Sequence, residues 1–236
     1  MSAGGRLVLR CAADQRIGDR EHQNDRFAAG DLFIVVSDGM GARPEAGPAA
    51  QAVVDGFAQF ARAVPPAAIP DGLLGLPADL VRRLGGQPSA LGATLAGAVL
   101  EPDGRLWLVT VGDSRVLLLR GHQLVYASQL DNAAAVAARM GYESTDPAAE
   151  HRLERYLAAA DGDPTPTIAL VQARAGDVVV AVTDGVDRVV SPLVLSWLAA
   201  GSSGPGELVL ATLAEARERG MSDNGTVAVG VVERGA

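Results

Sequence analysis

An α+β fold is predicted, with antiparallel sheets carrying helices on their outer faces, and three observations predict it. Two near-continuous β-branched runs, "LFIVVSDG" at 32–39 and "DVVVAVTDG" at 177–185, each end in Asp-Gly; such runs mark strands buried on both faces. The stretch 91–128 alternates apolar runs with turn residues, which reads as a meander. Helical patterns fall in pairs between runs of strands, not in strict β-α-β alternation, and that argues against a purely parallel sheet.

The elements follow in order. Cys11 lies in a first strand and is assigned to the core, not to redox chemistry. After the 32–39 strand, "PEAGPAAQAVVDGFAQFARAV" (44–64) has apolar residues at helical spacing, with Pro44 in its first turn. Residues 65–90 are punctuated by Pro and Gly and take no assignment. The meander turns at "PDG" (102–104), "GDS" (112–114) and "RGH" (120–122). Helices are expected over 132–141 and 146–160, then over 191–201 and 204–220 after the 177–185 strand. A last strand covers 225–234, and Trp107 and Trp197, in apolar runs, read as core. No fixed repeat and no linker divides the chain, so one domain over 1–236 is expected.

Composition bounds the function. Of 236 residues, 48% are hydrophobic and 20% charged, enough to bury a sizeable core. A single cysteine allows no intrachain disulfide and fits a reducing compartment. The first residues lack the apolar run of a signal peptide, and no stretch approaches 18 apolar residues, so a cytoplasmic location without a membrane span is expected. The formal charge of −8 disfavours nucleic acid and anionic membranes as partners. Every basic residue is arginine, which is read as compositional bias.

Five aspartates sit at strand ends or in tight turns: Asp25 in "QND", Asp38 in "SDGMG", Asp113 in "VGDSR", Asp184 in "TDGVD" and Asp223 in "SDNGT". A lone Asp-Gly is a common turn; the set is more informative. Asp38 and Asp184 follow strands that look central, where an unpaired carboxylate is costly and two would repel. A shared divalent cation removes both problems. Oxygen ligands without a Cys or His cluster favour Mg2+ or Mn2+ over zinc. Gly39 leaves room beside Asp38 and exposes a carbonyl that can itself coordinate. A pair of such ions activates water for in-line attack on phosphorus and neutralises the developing charge. Arg20, ahead of Asp25, can grip two phosphate oxygens; the competing reading is a surface ion pair with Asp19 or Glu21.

The ordered motifs "RIGDREHQNDRF", "VVSDGMGARPEAGPAAQ", "GATLAGAVL", "LVTVGDSRVLLLRGHQL", "AGDVVVAVTDGVDRVVS" and "SDNGTVAVGVV" together resemble the metal-dependent protein phosphatases of the PP2C (PPM) family in its compact bacterial form. The resemblance spans nearly the whole chain. It implies a four-layer αββα sandwich of two antiparallel sheets between helix pairs, with a flap at about 141–165. It implies hydrolysis of phosphoserine and phosphothreonine in proteins by a metal-activated water, with two core Mn2+ or Mg2+ ions. By position, Asp38 would bridge the two ions and the Gly39 carbonyl would bind one. Asp184 and Asp223 would complete the other, Asp25 would act through a water, and Arg20 would hold the phosphate. Asp113 matches a residue that helps hold a third, weaker ion. The substrate would be a phosphorylated protein, made so by a separate Ser/Thr kinase, and a monomer is expected.

The chain departs from the pattern in four places. Asn24 stands where an acidic residue usually precedes Asp25, Ala42 replaces the second glycine of the metal motif, and Asn132 replaces a histidine after the meander. Met40 stands where eukaryotic members carry a candidate general acid, leaving protonation of the departing oxygen to water. Of the histidines, His22 lies near the first motif, His122 in a hairpin turn, and His151 on the expected 146–160 helix, where Glu154 could reach a third ion. Two other functions compete with the enzyme: a catalytically weak or inactive binding module of the same fold, which the Asn24 change motivates, and a phosphatase of small metabolites.

Overall fold

The computed structural model describes residues 6–86 and 91–235. Two five-stranded antiparallel sheets lie face to face between helices. The first has the order β1 (Leu7–Arg16), β10 (Gly225–Arg234), β9 (Val178–Val182), β6 (Arg115–Arg120), β7 (Gln123–Ala127). The second has the order β2 (Arg26–Gly30), β3 (Phe33–Ser37), β4 (Leu95–Leu100), β5 (Arg105–Val111), β8 (Thr167–Gln172). Helices α1 (Ala46–Ala63) and α2 (Ile69–Gly85) cover the second sheet; α5 (Pro192–Gly201) and α6 (Pro205–Glu218) cover the first. No helix among the described residues is long and apolar enough to cross a membrane.

The layering explains the continuous apolar runs. On β3, Phe33 and Val35 face α1 and α2, while Ile34 and Val36 face the other sheet. On β9, Val179 and Ala181 face between the sheets, while Val180 and Val182 face α5 and α6. With both faces covered, strict alternation of polar and apolar residues is lost. The seam between the sheets packs Leu, Ile and Val side chains together with small ones, Ala96, Ala98, Ala181 and Ala228 among them.

Several expectations need correction. The 91–128 stretch holds four strands, yet it is not one meander. β4 and β5 pair in the second sheet and β6 and β7 in the first, so the "GDS" turn carries the chain from one layer to the other. Gly112 takes φ +101° there, a conformation that side chains with a Cβ avoid. The 146–160 helix is absent. Its backbone pairs across the molecule instead: Leu157 exchanges hydrogen bonds with Ala93, Glu154 N–H donates to the Asp131 carbonyl, and the Arg152 carbonyl accepts from Ala133. Buried Ala149 and Leu157 supply the apolar spacing that imitates a helix. Conversely, 65–90 contains α2, with Ile69, Leu73, Leu76, Leu80 and Leu84 all buried; packing against α1 overrides the internal Pro77. Residues 87–90 lie outside the described ones.

Pro44 precedes α1, so it is not in the first turn. Trp107 is half-buried against the α1–α2 core, its Nε1–H donating to Glu101 at 2.6 Å. Trp197 is not core: α5 buries Leu195 and Ser196 and turns Trp197 outward, 67% exposed. Strands β2 and β8 and the short helix α4 (Asp184–Asp187) were not anticipated.

Candidate metal centre

Strand register brings the five aspartates to one end of the sandwich. In the second sheet, Arg26 of β2 faces Ser37 of β3, so Asp25 and Asp38, one residue beyond each, become neighbours. In the first sheet, Val182 of β9 faces both Val227 of β10 and Arg115 of β6. This sets Asp184 beside the turn holding Asp223 and beside the β5–β6 turn holding Asp113. Asp38, Gly39, Asp113, Asp184, Asp223 and Arg20 all line one cavity of about 430 Å3, with Asp25 buried behind them.

Asp25 is fully buried, and its Oδ2 accepts from Thr183 Oγ1 at 2.8 Å and Thr226 Oγ1 at 2.7 Å. Its Oδ1 has no donor. Burial, with repulsion from Asp184, pushes its pKa up to about 7 despite the two hydroxyls. Asp38 is the node of the cluster. Burial raises its pKa well above the carboxylate range, and Asp25, Asp184, Asp113 and Asp223 all push the same way. Its backbone is clamped to Thr94, N–H to Oγ1 at 3.0 Å and carbonyl to N–H at 2.9 Å. Burial and then Asp184 raise Asp113 to about 7. Asp184, raised mainly by burial, leaves Oδ1 buried without a donor. Asp223 accepts from Arg20 at 2.6 Å, so Arg20 pairs across the site and not with Asp19 or Glu21.

Asn24 uses its amide N–H groups on the Gly41 and Arg43 carbonyls, at 2.9 and 3.0 Å, and so holds the loop after Asp38. Its Oδ1 is buried without a donor. Asn224 ties the two sheets locally, accepting from Asn24 N–H at 2.7 Å and donating to the Ile17 carbonyl at 2.8 Å.

These features fit a divalent cation. Buried carboxylate oxygens of Asp25 and Asp184 lack donors, the carboxylates repel one another, and every candidate donor is a hard oxygen. Among the described residues no three Asp, Glu, His or Cys groups already close around one point as a ready cage. Arg20 and Arg188 occupy part of the cluster instead. Gly39 reaches this position because a Cβ there would fall 2.2 Å from the Ala46 carbonyl oxygen of α1. Gly39→Ala is therefore expected to destabilise by about 1–3 kcal/mol, read as a lower denaturation midpoint with an unchanged slope.

The site also contains residues the sequence reading passed over. Arg188, four residues after Asp184, pairs with it at 2.6 Å. Thr183 and Thr226, adjacent to the acidic motifs, hold Asp25 in place. His22 and His151 line the cavity, and His151 Nδ1 lies 2.5 Å from Arg188 Nη1, so His151 belongs to the site and not to an outer helix face. His122 is exposed in its hairpin, at φ +67°. Asn132 caps α3 (Ala133–Arg139) by accepting from Ala135 N–H at 2.9 Å. Glu154 is exposed and pairs with Arg152 at 3.8 Å. Cys11 donates to the Gly30 carbonyl, and burial pushes its thiol up to about 12, so the core reading of it stands.

Comparison with known proteins agrees with this geometry. The serine/threonine protein phosphatase PstP of Mycobacterium tuberculosis is 30% identical over 199 residues, which are 78% of this chain and 38% of PstP. This chain thus spans well under half the length of that relative. The crystal structure of the PstP catalytic domain in complex with two manganese ions superposes with a TM-score of 0.81 at 27% identity, covering 96% of this chain and 99% of that one. The phosphatase MsPP of Mycobacterium smegmatis, in complex with cacodylate, gives 0.77 at 26% identity, covering 97% and 99%. The Protein phosphatase 2C family model matches residues 13–200, the stretch that contains Asp25, Asp38, Asp113 and Asp184. A match of that extent, over the turns that gather the carboxylates, makes this chain a member of the protein phosphatase 2C family.

Proposed function

We propose that the chain is a metal-dependent serine/threonine protein phosphatase using Mn2+ or Mg2+, and that it acts as one catalytic domain. The observation that carries this reading is the convergence of Asp38, Asp184 and Asp223 from two sheets on one cavity, with Asp25 buried behind it and buried oxygens left without donors. The manganese ions in the PstP catalytic domain and that protein's name support it.

A bound pair of divalent ions supplies Lewis acidity and an activated nucleophile at neutral pH. The chain's own groups do the rest. Asp38, central among the carboxylates, and the neighbouring Gly39 carbonyl would hold the cations. Asp184 and Asp223 hold the first-sheet side. Asp25, fixed by Thr183 and Thr226, would support the centre from behind the cavity wall. Arg20 lies on Asp223 at the cavity wall, and its guanidinium would hold the phosphate there. Met40 at the cavity wall carries no proton to donate, so the departing serine or threonine oxygen takes its proton from water. The substrate is a phosphoprotein made by a separate kinase, and the protein works as a cytoplasmic monomer.

Phosphate release from a phosphothreonine peptide, with Mn2+ or with chelator, tests the reading. Release should vanish with chelator, exceed that from a sugar phosphate, and show a KM raised about tenfold or more in Arg20→Ala, the loss of one charge-assisted contact. Tight peptide binding without release under any metal would favour the binding-module reading, and faster release from the sugar phosphate would point to a metabolite.

A further inference from the structure

We infer that Arg188 is the permanent cation of the outer half of this site: its guanidinium, and not a third divalent ion, neutralises Asp113 and Asp184. The inference rests on the two-ion reading above and sets its upper limit. Arg188 Nη2 lies 2.6 Å from Asp184 Oδ2 and 3.5 Å from Asp113 Oδ2. Both carboxylates are more than nine-tenths buried. The guanidinium is also held by His151 Nδ1, 2.5 Å from Nη1, and by the Glu150 carbonyl, 3.2 Å from Nη2. Its own backbone is fixed by the helical turn of α4, with Arg188 N–H donating to the Asp184 carbonyl at 3.0 Å. Nη2 carries the contacts to both carboxylates and to the Glu150 carbonyl, so its two N–H groups are shared among them, while Nη1 takes His151.

The two arginines of the cavity differ in how firmly they are held. Arg20 makes one side-chain contact, to Asp223, and its side chain is 44% exposed. Arg188 is gripped by two carboxylates, a ring nitrogen and a carbonyl, and its side chain is 28% exposed. Arg20 is therefore the exchangeable group and Arg188 the fixed one. The geometry also divides Asp184 between two tasks: Oδ2 faces Arg188, while the buried Oδ1 has no donor and is left for a core ion. Mn2+ and Mg2+ take about six oxygen ligands near 2.0–2.2 Å. Beside Asp113 a further ion would have to displace the guanidinium or bind against its positive charge. Asp187 is drawn to Arg115, 3.3 Å away, though its Oδ1 accepts no hydrogen bond.

Counting bound Mn2+ tests this directly, by calorimetric titration and native mass spectrometry of the full chain freed of metal. The natural chain should bind two ions. Arg188→Ala should bind a third, weaker one, which Asp113→Asn in the same background should remove; Arg188→Lys should stay at two. In the natural background, where folding of the arginine variant is not at issue, Asp113→Asn should leave the count at two. Three ions in the natural chain, loss of an ion in Asp113→Asn alone, or two ions in a folded Arg188→Ala would each overturn the assignment. A natural chain that binds no ion would overturn the phosphatase reading with it. Two ions bound without phosphate release would remove the reading of activity and leave the role of Arg188 standing.

Discussion

Asp38→Asn should lower metal-dependent phosphate release by about a thousandfold or more and, in the same protein, raise the melting temperature of the metal-free chain. Both effects have one origin. Asp38 is the carboxylate that all four others repel, and it is held at the centre of the cavity by Thr94 on both sides of its backbone. Its ionised form is costly without a cation, and an amide of the same shape relieves that cost. The relief should appear as a rise of ~2–4 °C for each kcal/mol recovered. With Mn2+ the order should reverse, since ligands that bind only the folded state stabilise it in proportion to their affinity. Melting curves of both proteins, with Mn2+ and with chelator, read all four states. Equal activity in the variant would sink the metal-centre assignment. A lower metal-free melting temperature would show that Asp38 is held by contacts other than those seen here.

The second large effect is a reversal of pH dependence on metal binding. Asp25 and Asp113 are raised to about 7 and Asp187 to about 6, in each case mainly by burial. A carboxyl whose pKa is higher in the folded chain than in the unfolded one holds its proton longer when folded. Below about pH 4 both states are protonated and the group contributes nothing. Between about 4 and 7 the unfolded chain releases the proton first, so stability falls as pH rises, and above 7 the full penalty remains. The metal-free protein should therefore melt higher at pH 5.5 than at pH 8, by roughly 5 °C or more. With excess Mn2+ the slope should change sign, because cations bind the deprotonated carboxylates and binding releases protons. A metal-free melting temperature that rises from pH 5.5 to 8 would contradict the buried-carboxylate account.

What could be read from the sequence follows a physical divide. Strands β3 and β9 announce themselves because both faces are buried, and their terminal aspartates stand out because charge rarely follows such runs. Asp38, Asp113, Asp184 and Asp223 line one cavity, and Asp25 is buried behind it. Segments whose backbone partners are distant are not legible. The 146–160 stretch has helical spacing, but its hydrogen bonds go to Ala93, Asp131 and Ala133, which local propensity cannot foresee. Helix α2 was hidden by the opposite error, since Pro77 masks a buried Leu stripe that packing rescues. Arg188 is one arginine among many, and only the approach of His151 and Asp113 sets it apart. The turn at Asp113 does not say which sheet the chain enters next.

The small side chains between the sheets have a bearing on chemistry that takes place beyond them. Asp25 and Asp38 ride on one sheet, Asp184 and Asp223 on the other, and at the cavity the gap is crossed by two loops, the β1–β2 connection and the β5–β6 turn. That gap depends on the thickness of the seam, whose packing includes Ala96 and Ala98 of one layer and Ala181 and Ala228 of the other. The alanines act as a ruler. A methyl group added there is expected to press the layers apart, so the reach between the carboxylates is graduated by residues that lie outside the cavity.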